Sequence, residues 1–206
     1  MTKLFWNEAA KQLGDGTRIF DPAALTWRDG EVRQGAPVTP SEALSKLAAH
    51  RLLRGVPIGI IGPREATDAQ RALAEQMGAA LARHGLQLLC GGKNGVMEAA
   101  CKGHAENGGM PVGLLPDEEW HAANPYVAIP IATGIGPARN AIIARACLVL
   151  VAIGGGVGTL SEMALGLQFN RLVLAMADAP EVNTVARIDT VDAVIARIAA
   201  RLFAIA

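Results

Sequence analysis

The sequence predicts an α/β protein of the Rossmann-like kind: a mostly parallel sheet with helices on both faces, plus a short N-terminal hairpin-helix appendage. Three observations predict it. From Val56 onward, short aliphatic runs alternate with segments of helical periodicity, the rhythm of a parallel sheet with right-handed crossovers. Glycine-rich loops follow these runs at Gly62, Gly91–Gly95, Gly134–Gly136 and Gly154–Gly158. The composition is 51% hydrophobic but only 4% aromatic, as expected for strands buried on both faces.

The first 55 residues lack this rhythm. Leu25-Thr26-Trp27 and Glu31-Val32-Arg33 flank Asp29-Gly30 and read as a hairpin. Thr39-Pro40-Ser41-Glu42 combines an N-cap threonine, a proline at the first helical position and a capping-box glutamate. The helix it opens should run to about Leu53 and stop at Gly55. Residues 1–55 therefore form the appendage and residues 56–206 the Rossmann-like domain.

In the second part, Pro57–Ile61 is a strand, broken by Gly62-Pro63-Arg64. Thr67-Asp68-Ala69-Gln70 is a second capping box, and its helix ends at His84-Gly85. Strand Leu86–Cys90, the loop Gly91–Gly95 and a helix from about Val96 to Asn107 follow. Pro111–Leu115 and Val127–Ile131 are strands. Gly134-Ile135-Gly136-Pro137 opens a helix to about Ala146. Leu148–Ile153 is the most continuous apolar run, and a helix from Thr159 to about Phe169 comes after its glycine loop. Leu172–Met176 is a strand, and the last helix starts near Thr190. In such sheets ligands bind outside the carboxyl ends of the strands, so the glycine loops should gather on one edge.

Charge and cysteine content narrow the function classes. Nineteen Lys and Arg balance nineteen Asp and Glu, without the basic excess expected of a nucleic-acid binder. No run approaches the ~20 apolar residues of a membrane span, and the polar start implies no leader peptide. Three cysteines, none in a C-x-x-C pair, and four histidines without ligand spacing imply a reducing cytoplasmic setting and no metal site. Cys90 and Cys147 read as small buried residues.

Gly154-Gly155-Gly156-Val157-Gly158-Thr159-Leu160-Ser161-Glu162 is the strongest motif. Four glycines in five residues exceed what a turn needs. They let backbone amides approach an anion at a helix N-terminus. No Gly-Lys-Ser/Thr follows, so it is not a P-loop, and Thr159 stands where a dinucleotide fingerprint needs a third glycine. Thr159-x-x-Glu162 is itself a capping box, which gives Glu162 a structural reading beside that of a carboxylate facing the ligand's sugar. Arg139 in a first helical turn opposes the helix dipole, and phosphate or Glu162 would resolve that conflict. Gly91, Gly92, Lys93 and Asn94 form a second candidate cradle. Gly62, Arg64 and Gly134 complete the edge.

The region from Val56 to about Met176 resembles the LOG family, sometimes labelled lysine decarboxylase-like, which includes cytokinin riboside 5′-monophosphate phosphoribohydrolases. The family pattern is Arg-Lys, a strand, then Pro-Gly-Gly-x-Gly-Thr-x-x-Glu. Arg139-Asn140 stands at the first block and Gly154–Glu162 at the second. Gly91-Gly92-Lys93-Asn94-Gly95-Val96-Met97-Glu98 is similar to the family's upstream loop. Asn140 replaces the lysine, Gly154 the proline, and Leu148 an aspartate often found there. With Asn124-Pro125-Tyr126, the first two changes bring the chain closer to the molybdenum cofactor carrier-like subgroup.

The resemblance implies a homodimer built through helices. It also implies a phosphorylated small-molecule ligand, either the molybdenum cofactor or a nucleoside monophosphate. Three function classes follow, in this order. The first is a carrier that binds a pterin phosphate or nucleotide. The second is a phosphoribohydrolase in which Arg139 and Glu162 are catalytic. The third is a non-catalytic sensor or interaction module. No cofactor is needed for catalysis in any of them, and Lys93 has nothing around it to anchor pyridoxal phosphate, which excludes a decarboxylase. The implied contacts are Gly62, Arg64, Gly91, Gly92, Lys93, Asn94, Gly134, Arg139, Asn140, Gly154, Gly155, Gly156, Val157, Gly158, Thr159 and Glu162.

Overall fold

The computed structural model describes residues 3–205. The N-terminal part is a five-stranded antiparallel sheet rather than a single hairpin: β1 (Leu4–Asn7), β2 (Gln12–Gly14), β3 (Arg18–Asp21), β4 (Thr26–Asp29) and β5 (Ala36–Val38), in the order β4-β3-β2-β1-β5. The predicted hairpin about Asp29-Gly30 does not form. Thr26–Asp29 instead pairs backward with Arg18–Asp21, and Glu31-Val32-Arg33 is not a strand. The reversal is an Asx turn: Asp21 Oδ1 accepts from the amides of Ala23 and Ala24, both at 3.0 Å.

Helix α1 (Pro40–Ala49) has the predicted capping box, in which Glu42 Oε2 accepts from the Thr39 amide at 2.7 Å. It ends at His50 rather than near Leu53. Arg51 turns left-handed at φ 52, and the Leu52 amide folds back onto the Leu47 carbonyl at 3.0 Å.

From there the chain alternates. The elements are β6 (Pro57–Ile61), α2 (Asp68–Arg83), β7 (Gln87–Cys90), α3 (Val96–Glu106), β8 (Val112–Leu115), β9 (Ile129–Ala132), α4 (Arg139–Ala146), β10 (Val149–Ile153), α5 (Val157–Gln168), β11 (Leu172–Met176), β12 (Ala186–Arg187) and α6 (Val191–Ile205). The sheet runs β12-β11-β10-β6-β7-β8-β9, with every pairing parallel. This is the Rossmann-like α/β fold that the sequence predicts.

Strand order reverses between β6 and β10, so the crevice at their carboxyl ends is the topological switch point where such sheets take ligands. The helices form two layers. α2, α3, α6 and α1 bury one apolar cluster with Ile58, Ile60 and Val151. α4 and α5 bury the other, with Ile61, Leu150, Ile143 and Met163.

The small sheet adds Leu4, Trp6, Leu13 and Phe20 to the first cluster. Trp27 Nε1 also donates to the Phe203 carbonyl at 3.0 Å. The N-terminal sheet therefore covers the α1–α6 side and leaves α4 and α5 uncovered. Among the described residues, no helix is long and apolar enough to cross a membrane.

Candidate functional site

A cleft of about 210 Å³ opens at the switch point. Ile60, Ile61, Gly62, Pro63 and Arg64 form its β6 side, and Gly156, Gly158, Thr159 and Glu162 its α5 side. Gly91 and Met97 line the floor, with Arg139 and Asn140 of α4 completing the wall.

The glycine loop begins as a tight turn. Gly154 (φ 62) and Gly155 (φ 127) occupy left-handed backbone that glycine alone adopts readily. A side chain at Gly154 would also strike Gln70, and one at Gly155 would strike Thr159. Gly156, the N-cap of α5, is different. Its φ is −130, and added Cβ atoms at Gly156 and Gly158 would meet nothing within 4 Å. Neither backbone nor packing requires glycine at these two positions, and both line the cleft. No side chain caps α5, so the amides of its first turn remain open to an anion.

The capping-box reading of Glu162 does not hold. The helix begins at Val157, so Thr159 is already inside it and Glu162 lies beyond the first turn. The carboxylate is buried, 7% exposed, and accepts a hydrogen bond from Arg139 Nη1 at 3.1 Å. Arg139 is 8% exposed, and the pair resolves its conflict with the helix dipole. Burial raises the Glu162 carboxyl to about 7, although the adjacent guanidinium pulls it down. Arg139 Nε and Asn140 Oδ1 are buried without partners, and such atoms are rare unless water or a ligand satisfies them. Gly91 has no room for a side chain, since a Cβ there would lie 2.5 Å from Arg139 Nη2.

The second candidate cradle contributes Gly91 to the cleft, and its other members are placed elsewhere. Lys93 donates to Asp117 Oδ2 at 3.0 Å and to the Ala122 carbonyl at 2.8 Å, so it ties down the 117–122 loop and does not line the cleft. Gly92 (φ 68) packs on Gly113 and Leu115, and Gly95 (φ 71) sits against the carbonyls of Pro63 and Arg64. Asn94 borders a neighbouring groove. Gly134 donates to the Asp117 carbonyl at 2.9 Å, outside the cleft. Val157 is exposed at the α5 terminus.

Sequence reasoning missed Ile60, Ile61, Pro63 and Met97, which carry no polar signal. It also missed the second role of Gln70, which accepts from the Thr67 amide at 2.9 Å and donates to Asp178 Oδ1 at 2.7 Å. The cysteines are all buried, and burial pushes the Cys147 thiol up. Among the described residues, no group of three or more His, Cys, Asp or Glu is placed to hold a metal ion.

Known proteins resemble this chain in fold and sequence. The molybdenum cofactor binding protein of the phototrophic bacterium Rippkaea orientalis is 34% identical, with a TM-score of 0.67 over 71% of this chain and 97% of its own. The molybdenum cofactor carrier protein of Chlamydomonas reinhardtii is also 34% identical, with a TM-score of 0.66 over 72% and 99%. An uncharacterised protein of Archaeoglobus fulgidus is 39% identical over 58% of this chain and 78% of its own. This chain is accordingly LOG-like, near the carrier subgroup, as the sequence motifs imply. The family model matches residues 55–200, and the chain belongs to the SLOG cluster4 family.

Proposed function

We propose that this protein binds a phosphorylated small molecule, with its phosphate on the amides of α5's first turn, and works as a molybdenum cofactor carrier-like protein. Gly156 and Gly158 carry the reading. They are bare in the cleft where the fold has no need of them, so a ligand group can approach the backbone there. Arg139 supplies cationic charge, and Arg139 Nε and Asn140 Oδ1 are polar atoms that a ligand could satisfy. The likeness to carrier proteins supports the molybdenum cofactor as cargo. The three buried cysteines fit a reducing cytoplasm. Mass spectrometry of ligand released from natively purified protein tests this directly. A crystal grown with sulfate should place the anion at Val157–Thr159, and an empty loop with sulfate bound elsewhere overturns the reading.

The Arg139–Glu162 pair favours a second reading, a nucleoside 5′-monophosphate phosphoribohydrolase. A buried carboxyl near neutrality in a cleft suits either proton transfer or stabilisation of positive charge at C1′. Release of free base from AMP, abolished in folded Glu162→Gln protein, would select this reading over the carrier.

The homodimer implied by resemblance fits the uncovered α4–α5 side. Ile135, Ile142, Val157 and Leu160 are exposed there, and the N-terminal sheet lies on the other layer. Light scattering should give twice the 21.4 kDa chain mass, and Ile142→Glu should return a monomer.

A further inference from the structure

The cleft's 210 Å³ falls short of the roughly 300–1,000 Å³ typical of small-molecule sites. It takes a phosphate and a sugar-sized group, and the rest of a nucleotide or pterin phosphate must lie outside it. Arg64 marks the direction, because it borders both the cleft and a second groove of about 440 Å³ on the far side of the α3 N-terminus. Asn94, Glu98, Tyr126, Arg71 and Lys102 also line that groove.

The groove's charges are unevenly used. Arg71 pairs with Asp68 at 2.6 Å and Lys102 with Glu75 at 2.9 Å. Glu98 and Arg64 form no salt bridge among the described residues. Tyr126 is half-buried and packs against the main core. Its amide donates to Asn124 Oδ1 at 3.1 Å, and Asn124 Nδ2 donates to the Lys93 carbonyl at 3.0 Å. This supports the Tyr126 ring at the groove's edge on a tethered loop.

We infer that this groove receives the ring end of the ligand, and that the ring is a fused 2-amino-4-oxopyrimidine, as in guanine or a pterin. The inference rests on the phosphate reading above. Tyr126 offers an aromatic face for stacking. The Glu98 carboxylate only accepts hydrogen bonds, so it matches a ring N–H beside an amino group. Adenine presents a ring-nitrogen acceptor beside its amino group, which sets a lone pair against the carboxylate. Arg64, between the two cavities, sits where it can neutralise phosphate or meet the ring carbonyl.

The test is calorimetric titration of the full chain with ribose 5-phosphate, GMP and AMP. GMP should bind at least tenfold tighter than AMP. Glu98→Gln should abolish that preference and leave ribose 5-phosphate unchanged. Tyr126→Leu, which keeps an apolar contact with the core, should weaken both nucleotides about fivefold and spare ribose 5-phosphate. Equal GMP and AMP affinities, or an unchanged preference in Glu98→Gln, overturn the ring assignment. In that case the phosphate site still stands if ribose 5-phosphate binds and Gly158→Val abolishes its binding. Failure of all three ligands to bind removes the phosphate reading and the ring assignment with it.

Discussion

Two glycine loops follow two strands of one sheet, and each opens a helix, yet they differ in kind. In the loop after β7, crowding explains the glycines. Gly91 is pressed by Arg139, Gly92 by Gly113 and Leu115, and Gly95 by two backbone carbonyls. In the loop after β10, Gly154 and Gly155 serve the turn, while Gly156 and Gly158 face open space. Glycine enrichment marks both loops, with three of five residues in one and four of five in the other, and what surrounds each missing side chain separates glycines kept for packing from glycines left open to a ligand. The Arg139–Glu162 pair joins the two, with the guanidinium against Gly91 and the carboxylate on α5.

The largest expected effect comes from breaking that join. Glu162→Ala leaves the buried Arg139 charge without its partner, which should cost about 3–5 kcal/mol in denaturant unfolding. A loss below 1 kcal/mol would mean that water already solvates the guanidinium and that the loops are independent. Gly95→Ala comes next, at roughly 2–4 kcal/mol, because a left-handed φ of 71 and a clash with backbone act together. A near-neutral result would remove the packing explanation of the first loop.

The strand and helix order was legible because the signals were redundant. Aliphatic runs marked β6 and β10, and the capping boxes at Thr39 and Thr67 formed as read, while the third, at Thr159, did not. The N-terminal sheet was not legible. Its strands are three or four residues long, and β4 and β5 have no buried residue, so alternation has little room to show. Arg139, Asn140 and the open glycines were legible as site candidates through motif spacing. The reading of Lys93 as a cleft contact and the cap reading of Glu162 failed for opposite reasons, although Glu162 does line the cleft beside Arg139. A lysine beside glycines looks like a phosphate contact until Asp117, twenty-four residues on, is folded against it. Thr-x-x-Glu looks like a cap until the helix is seen to start at Val157 and not after Thr159.

The pair should also make stability depend on pH. The Glu162 carboxyl is raised by burial from 4.5 to about 7, so between those values the folded state binds more protons than the unfolded one. Stability therefore falls as pH rises through this window and levels off above it. The loss is on the order of 3 kcal/mol. In Glu162→Gln the slope over this window should flatten, and an unchanged slope would assign the titration to another group.

The smallest stability effect is the sharpest discriminator. Gly158→Ala sits in the first turn of α5 with no atom within 4 Å of the added methyl group. Alanine reduces the backbone freedom lost on folding, so the variant should be as stable as the parent or up to about 1 kcal/mol more stable. The same methyl group occupies the space over the α5 amides, where the phosphate must approach. Affinity for ribose 5-phosphate should fall at least tenfold, about 1.4 kcal/mol. Opposite signs on stability and binding distinguish a glycine kept for a ligand from one kept for the fold, and Gly95→Ala, with the same change of side chain, should not show them. A Gly158→Ala protein that loses stability while binding at full strength would put the two loops in one class and move the phosphate away from α5.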